Sequence, residues 1–169
     1  MKQHTRAAVS VVACILIAGS LLAQPHPFDT SSGQRLSSSS IQIQPVDPGD
    51  VPLPAEFSVA VYENLITQIG KTGKFQHVYR SGDKDAATAP DLVTLRMTAQ
   101  SFNKGSQKKR EVTTVAGWSS LTLKIHIADH TGQTLVDRDV QGKVRFFGGN
   151  LNVTYDFSKK VAAVVRDTF

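Results

Sequence analysis

Between residues 121 and 127 apolar and polar side chains alternate without a break. Leu121, Leu123, Ile125 and Ile127 fall on one side, and Thr122, Lys124 and His126 on the other. A period of two places every second side chain on the same face only in an extended strand, so this segment predicts a strand with one dry and one wet face. The run Asp91-Leu-Val-Thr-Leu-Arg-Met-Thr-Ala-Gln precedes it, and an apolar–polar segment from 134 to 147 follows it. The turn-forming residues Asn103-Lys-Gly-Ser and Asp129-His-Thr-Gly separate the three. The expectation is an antiparallel meander over residues 91–147, with strands at 91–100, 112–128 and 134–147. Gly105 supplies the positive φ that a tight reversal needs, and Gly142 marks a bulge in the last strand.

The flanks supply what covers such a sheet. In residues 54–72 Phe57, Val61, Leu65 and Ile69 recur every four positions, and Tyr62 and Ile66 widen the stripe. That spacing predicts an amphipathic helix. Pro54 suits its first turn, where a missing N–H costs nothing, and Gly73 suits a left-handed ending. A second helix is predicted near the C-terminus, capped by Asn152 or Thr154, with Phe157, Val161 and Val164 or Val165 on one face. Residues 75–80 read as a strand and 81–90 as a polar loop. Ile41-Gln-Ile-Gln reads as a short strand at a sheet edge, stopped by Pro45. The fold class is therefore α+β: two layers, a mostly antiparallel sheet with two helices packed on one face.

The N-terminus constrains location. Lys2 and Arg6 precede an apolar run over residues 7–23, which Gln24-Pro25-His26-Pro27 ends. A basic start, an apolar stretch and small residues at its end make a secretory signal over 1–23. The alternative is an uncleaved membrane anchor, since the run approaches the roughly 17-residue minimum for a span. Cys14, the sole cysteine, lies inside the apolar run rather than at its end, so it reads as part of the signal and not as a lipid-bearing residue. Residues 24–40, rich in Pro, Ser and Gly, read as a flexible spacer, and 41–169 as one domain. The formal charge is +5, and removing the contributions of Lys2 and Arg6 leaves +3. So mild an excess argues against a nucleic-acid partner, which calls for a denser basic face.

Reactive groups do not converge in the sequence. His126 and His130 are four apart, but at a strand end and turn rather than on a helix, so no metal pair is expected. Asp137 and Asp139 share one face of a strand, where lysines on the neighbouring strand account for them. Asn152-Val-Thr matches a glycosylation sequon, which matters only in a eukaryotic secretory route. No phosphate loop, serine elbow or metalloprotease motif is present. No catalytic residue, cofactor or metal is assigned. The candidate interaction surface is Lys104, Lys108, Lys109 and Arg110, read as an exposed basic hairpin tip, together with Trp118. A core or sheet-edge aromatic explains Trp118 most economically, with a binding anchor as the alternative. Ala116-Gly117 before it permits close approach of another backbone.

Several blocks of the chain carry a resemblance. They are Gly73-Lys-Phe-Gln-His-Val78, Ala89-Pro-Asp-Leu-Val93, Gly105 with Arg110, Asp129-His-Thr-Gly-Gln-Thr-Leu135 and the closing Gly148-Gly149. Over residues 41–168 they resemble a bacterial family catalogued as domain of unknown function 4410. The resemblance implies an exported envelope protein. The element order is also similar to small periplasmic domains of envelope-assembly proteins, an analogy of fold that does not by itself assign function. The expected protein is a non-enzymatic, exported cell-envelope or periplasmic domain that binds another envelope protein or an anionic surface component. An unrecognised hydrolase and a small carbohydrate or lipid carrier are the alternatives. Membrane anchoring is expected only if the signal is retained.

Overall fold

The computed structural model describes residues 35–113, 116–145 and 149–169. The expected signal, Cys14 and most of the expected spacer lie outside these residues, as do Phe146, Phe147 and Gly148. The elements in chain order are β1 (Ser40–Asp47), α1 (Ala55–Gly70), β2 (His77–Arg80), a single 3-10 turn (Asp85–Thr88), β3 (Leu92–Asn103), α2 (Gln107–Val112), β4 (Ser119–Ala128), β5 (Thr134–Val144) and α3 (Asn152–Thr168). One five-stranded sheet runs in the order β2-β1-β3-β4-β5. β3, β4 and β5 form the expected antiparallel meander, with Met97 opposite Ile125 and Leu123 opposite Val140. β1 pairs in parallel with both β2 and β3, so the sheet is mixed.

The alternation in β4 does what its period requires. Leu121, Leu123, Ile125 and Ile127 are fully buried. They share a core with Ile41 and Ile43 of β1, Leu95 and Met97 of β3, Phe57, Val61, Leu65 and Ile69 of α1, and Phe157, Val161 and Val165 of α3. Burying a side chain of this size contributes about 1.5–3 kcal/mol. The two long helices thus cover one face. The opposite face presents Gln42, Thr94, Arg96, Thr98, Lys124 and His126, none of them buried.

Several expectations need correction. β1 is no edge strand: it lies between β2 and β3, and it continues past Pro45 to Asp47. Its register shifts between Ile43 and Val46, and Pro45 falls in that irregularity, where its missing N–H removes no ladder bond. The edge position belongs to β2. The end of the expected spacer is engaged with the domain. Ser39 Oγ donates to the Pro90 carbonyl at 2.8 Å, Ser38 Oγ donates to the Asp91 carbonyl, and Leu36 N donates to the Thr168 carbonyl at 2.9 Å. Gly142 is in register with Leu121 rather than bulged. It is small because α3 crosses there: a Cβ at this position would stand 2.3 Å from the Val153 carbonyl oxygen. Neither Asn152 nor Thr154 caps α3. Thr154 is buried, its hydroxyl donating to the Leu151 carbonyl and accepting from Asn64 Nδ2 of α1 at 2.9 Å.

Polar contacts secure the sheet's edges. At β2, Arg80 forms a two-point pair with Glu63 of α1 at 2.6 and 2.7 Å, and Ser81 N donates to the Tyr62 hydroxyl at 2.9 Å. At β5, Asp156 of α3 accepts from the backbone N–H of Lys143, and Lys160 Nζ donates to the Gln141 carbonyl. α3 thereby occupies backbone groups that an edge strand otherwise offers to a neighbouring chain. The β4–β5 turn is held by Asp129, whose Oδ1 accepts from Thr131 N, Thr131 Oγ1 and Gln133 N.

Three outcomes follow. Leu65→Ala leaves a cavity under the sheet and should cost about 2–5 kcal/mol in urea unfolding. Gly142→Ala forces α3 off β5 and should cost about 1–3 kcal/mol, although alanine ordinarily suits a strand better than glycine. The hydrogen bond from Arg80 holds Glu63 below its ordinary pKa of 4.5, and that from Thr131 does the same for Asp129 below 3.8. A carboxyl depressed in the folded state is protonated more readily when unfolded, so its contribution is complete above those values and is lost as pH falls through and below them. The thermal midpoint should fall on acidification below about pH 4.5, and less steeply in Glu63→Gln; identical acid limbs would refute the linkage.

Candidate interaction surface

The antiparallel register gathers two connections, β3 to β4 and β5 to α3, at one end of the sheet. Asn103, closing β3, pairs with Ser120 at the start of β4, and Ser120 pairs with Lys143 near the end of β5. Residues 104–113, 116–118 and 149–151 and the first turn of α3 therefore meet at this end. The Asp129–Gln133 turn lies at the other.

Residues expected as a hairpin tip and the start of a strand instead contain α2. Ser106 caps it, its Oγ accepting from Lys109 N at 3.3 Å, and the described residues between α2 and Ser119 carry no strand. Two glycines outside the helix let the backbones on either side of it meet. Gly105 (φ +65°) approaches Trp118, where a Cβ would stand 2.4 Å from the carbonyl oxygen. Gly117 (φ +83°) approaches Ser106, where a Cβ would stand 2.6 Å from its carbonyl oxygen. Close approach at Gly117 is thus as the sequence indicates. Across this contact Ser106 N donates to the Gly117 carbonyl at 2.8 Å.

The basic residues divide. Arg110, grouped by sequence with an exposed tip, is only 3% exposed. Its Nη1 donates to the Gly117 carbonyl at 2.6 Å and to Ser119 Oγ at 3.0 Å, and its Nη2 donates to Asn150 Oδ1 at 2.8 Å. Ser119 Oγ in turn donates to the Lys104 carbonyl at 2.5 Å. A planar guanidinium with several fixed donors suits this role, because one side chain ties three separate segments together. Lys104, Lys108 and Lys109 remain exposed. Lys104 approaches Glu56 of α1 at 3.6 Å. Trp118 is not in the core: it immediately precedes β4 and is 45% exposed, and Val112, Leu151 and Tyr155 are exposed as well. The exposed Leu151 and Tyr155 have no role in the sequence reading.

The other candidates stay dispersed. His126 Nδ1 stands 3.8 Å from Asp137 Oδ2, and Lys124 Nζ is 3.1 Å from Asp137 Oδ1, so Asp137 faces a lysine across the strands as expected. Asp139 is opposite Lys124 in register. His130 lies in the far turn. Among the described residues, no three His, Cys, Asp or Glu side chains gather as a metal site would require.

No family model matches the chain, and no curated protein does. Solved structures do. The PelC dodecamer of Paraburkholderia phytofirmans is 12% identical, covering 80% of this chain and 94% of that one, with a TM-score of 0.58. A single-substitution variant of the same dodecamer gives 12% identity, coverage of 82% and 95%, and a TM-score of 0.56. A Xanthomonas campestris protein of the DUF330 family gives 10% identity, coverage of 76% and 84%, and a TM-score of 0.49. At these identities the likeness to PelC is one of fold.

Arg110→Ala should destabilise the protein by about 1.5–3 kcal/mol, because buried oxygens lose a charged donor. Lys108→Ala, two residues away, should change stability by no more than about 0.5 kcal/mol. Equal effects in denaturant melts would contradict the division of the basic cluster.

Proposed function

We propose that the chain is an exported cell-envelope domain that works by binding, as an assembly accessory, rather than by catalysis. The observation that carries this reading is the end of the sheet around Arg110, where a buried guanidinium ties the residues leading into exposed Trp118 to the helix that carries the exposed Lys108 and Lys109. An exposed aromatic on a rigid base is costly to leave in water and well suited to anchor a partner. The N-terminal pattern of Lys2, Arg6 and the apolar run over 7–23 supports export to the periplasm or envelope. The motif blocks support membership of the family of domain of unknown function 4410. A second reading, self-assembly into a closed oligomer, is supported by the likeness in fold to PelC, since that protein is a dodecamer. Closure by rotation about one axis needs two different complementary surfaces on each copy.

Fractionation of producing cells, with a photo-crosslinking residue at position 118 or at 133 in the opposite turn, tests the reading. The chain should fractionate with the envelope, and crosslinks should form from 118 and not from 133. Recovery in the cytoplasm, or equal crosslinking from both ends, would overturn it.

A further inference from the structure

We infer that the Arg110 end of the domain is a docking surface for anionic phospholipid. The inference rests on the envelope reading above and names the partner of that same surface. Two hydrogen bonds from one guanidinium, to the Gly117 carbonyl at 2.6 Å and to Asn150 Oδ1 at 2.8 Å, place the next residues, Trp118 and Leu151, beside a common anchor. Val112 follows Arg110 by two residues and is 79% exposed, while Trp118, Leu151 and Tyr155 are 45–46% exposed. Tyr155 lies one helical turn beyond Leu151, and Lys159 one turn further, its Nζ 5.7 Å from the centre of the Tyr155 ring. Four large exposed apolar side chains thus belong to the helices α2 and α3 and the residues beside them that the fold brings to one end.

The charge around them selects the occupant. Among the described residues, Lys104 is engaged by Glu56 and Lys160 by Asp156, whereas Lys108, Lys109 and Lys159 stand in no ion pair. Glu111, the acid within α2, is hydrogen-bonded to Gln107 Nε2 at 2.9 Å. Tryptophan and tyrosine settle at the level of lipid head groups because their rings are apolar and their N–H or O–H is not. Leucine and valine beside them reach the acyl boundary, and lysines on the rim meet phosphate. Free phosphate, or a polyanion without apolar groups, would satisfy the lysines and leave the four apolar side chains in water.

Trp118 is the sole tryptophan, so its emission reports this surface alone. The full chain is mixed with vesicles of phosphatidylcholine, with or without phosphatidylglycerol, some carrying brominated acyl chains. The expected result is a blue shift and bromine quenching of Trp118 with phosphatidylglycerol and neither without it. Each lysine near an anionic surface is worth about fivefold in binding, so Lys108→Gln with Lys109→Gln should weaken the Trp118 response about 25-fold. An unchanged emission overturns the inference, even where the N-terminal apolar run carries the chain onto vesicles. So does an equal shift on neutral vesicles, or a response indifferent to both lysines. Envelope fractionation and crosslinking from position 118 stand or fall separately from these results.

Discussion

Burial of one sheet face beneath α1 and α3 is the constraint on which the remaining structure depends. β1, β3 and β4 each direct alternate apolar side chains into this layer, and Leu65 and Phe157 meet them from the two helices with no exposure. A one-residue slip in any strand would exchange its dry and wet faces, so the alternation fixes the register as well as the layer. The register in turn brings the ends of β3 and β5 and the start of β4 together. The position of the candidate surface is therefore a consequence of core packing.

At that end the fold spends a charge on architecture. Arg110 is buried among carbonyl, hydroxyl and amide oxygens from Gly117, Ser119 and Asn150. A buried cation is tolerable only where fixed dipoles replace its water, and this site supplies them. Its neighbours Lys108 and Lys109 stay in solvent. The same stretch of sequence thus provides both the clasp that fixes the connections and the charge that faces outward.

Sequence periodicity revealed what repeats and missed what is local or tertiary. α1 was legible because four buried residues recur at helical spacing over four turns, and β4 because its alternation is unbroken. β1 was misplaced to an edge because Pro45 ordinarily ends a strand, and only pairing with β3 shows the irregularity that accommodates it. α2 is too short to show a period. The burial of Arg110 was illegible because Lys108 and Lys109 carry the same charge; the hint lay in Gly105 and Gly117, whose missing side chains let two backbones close around it. The exposure of Trp118 depends on where its connection ends, which no pattern within the connection encodes.

Arg110 acts as a clasp between α2, residues 117–119 and the residues that open α3. A double-mutant cycle of Arg110→Ala and Asn150→Ala, followed by denaturant unfolding, tests it most directly. A coupling energy of about 1–3 kcal/mol is expected between the two positions, which are 40 residues apart in sequence. Additive effects within about 0.3–0.5 kcal/mol would contradict it.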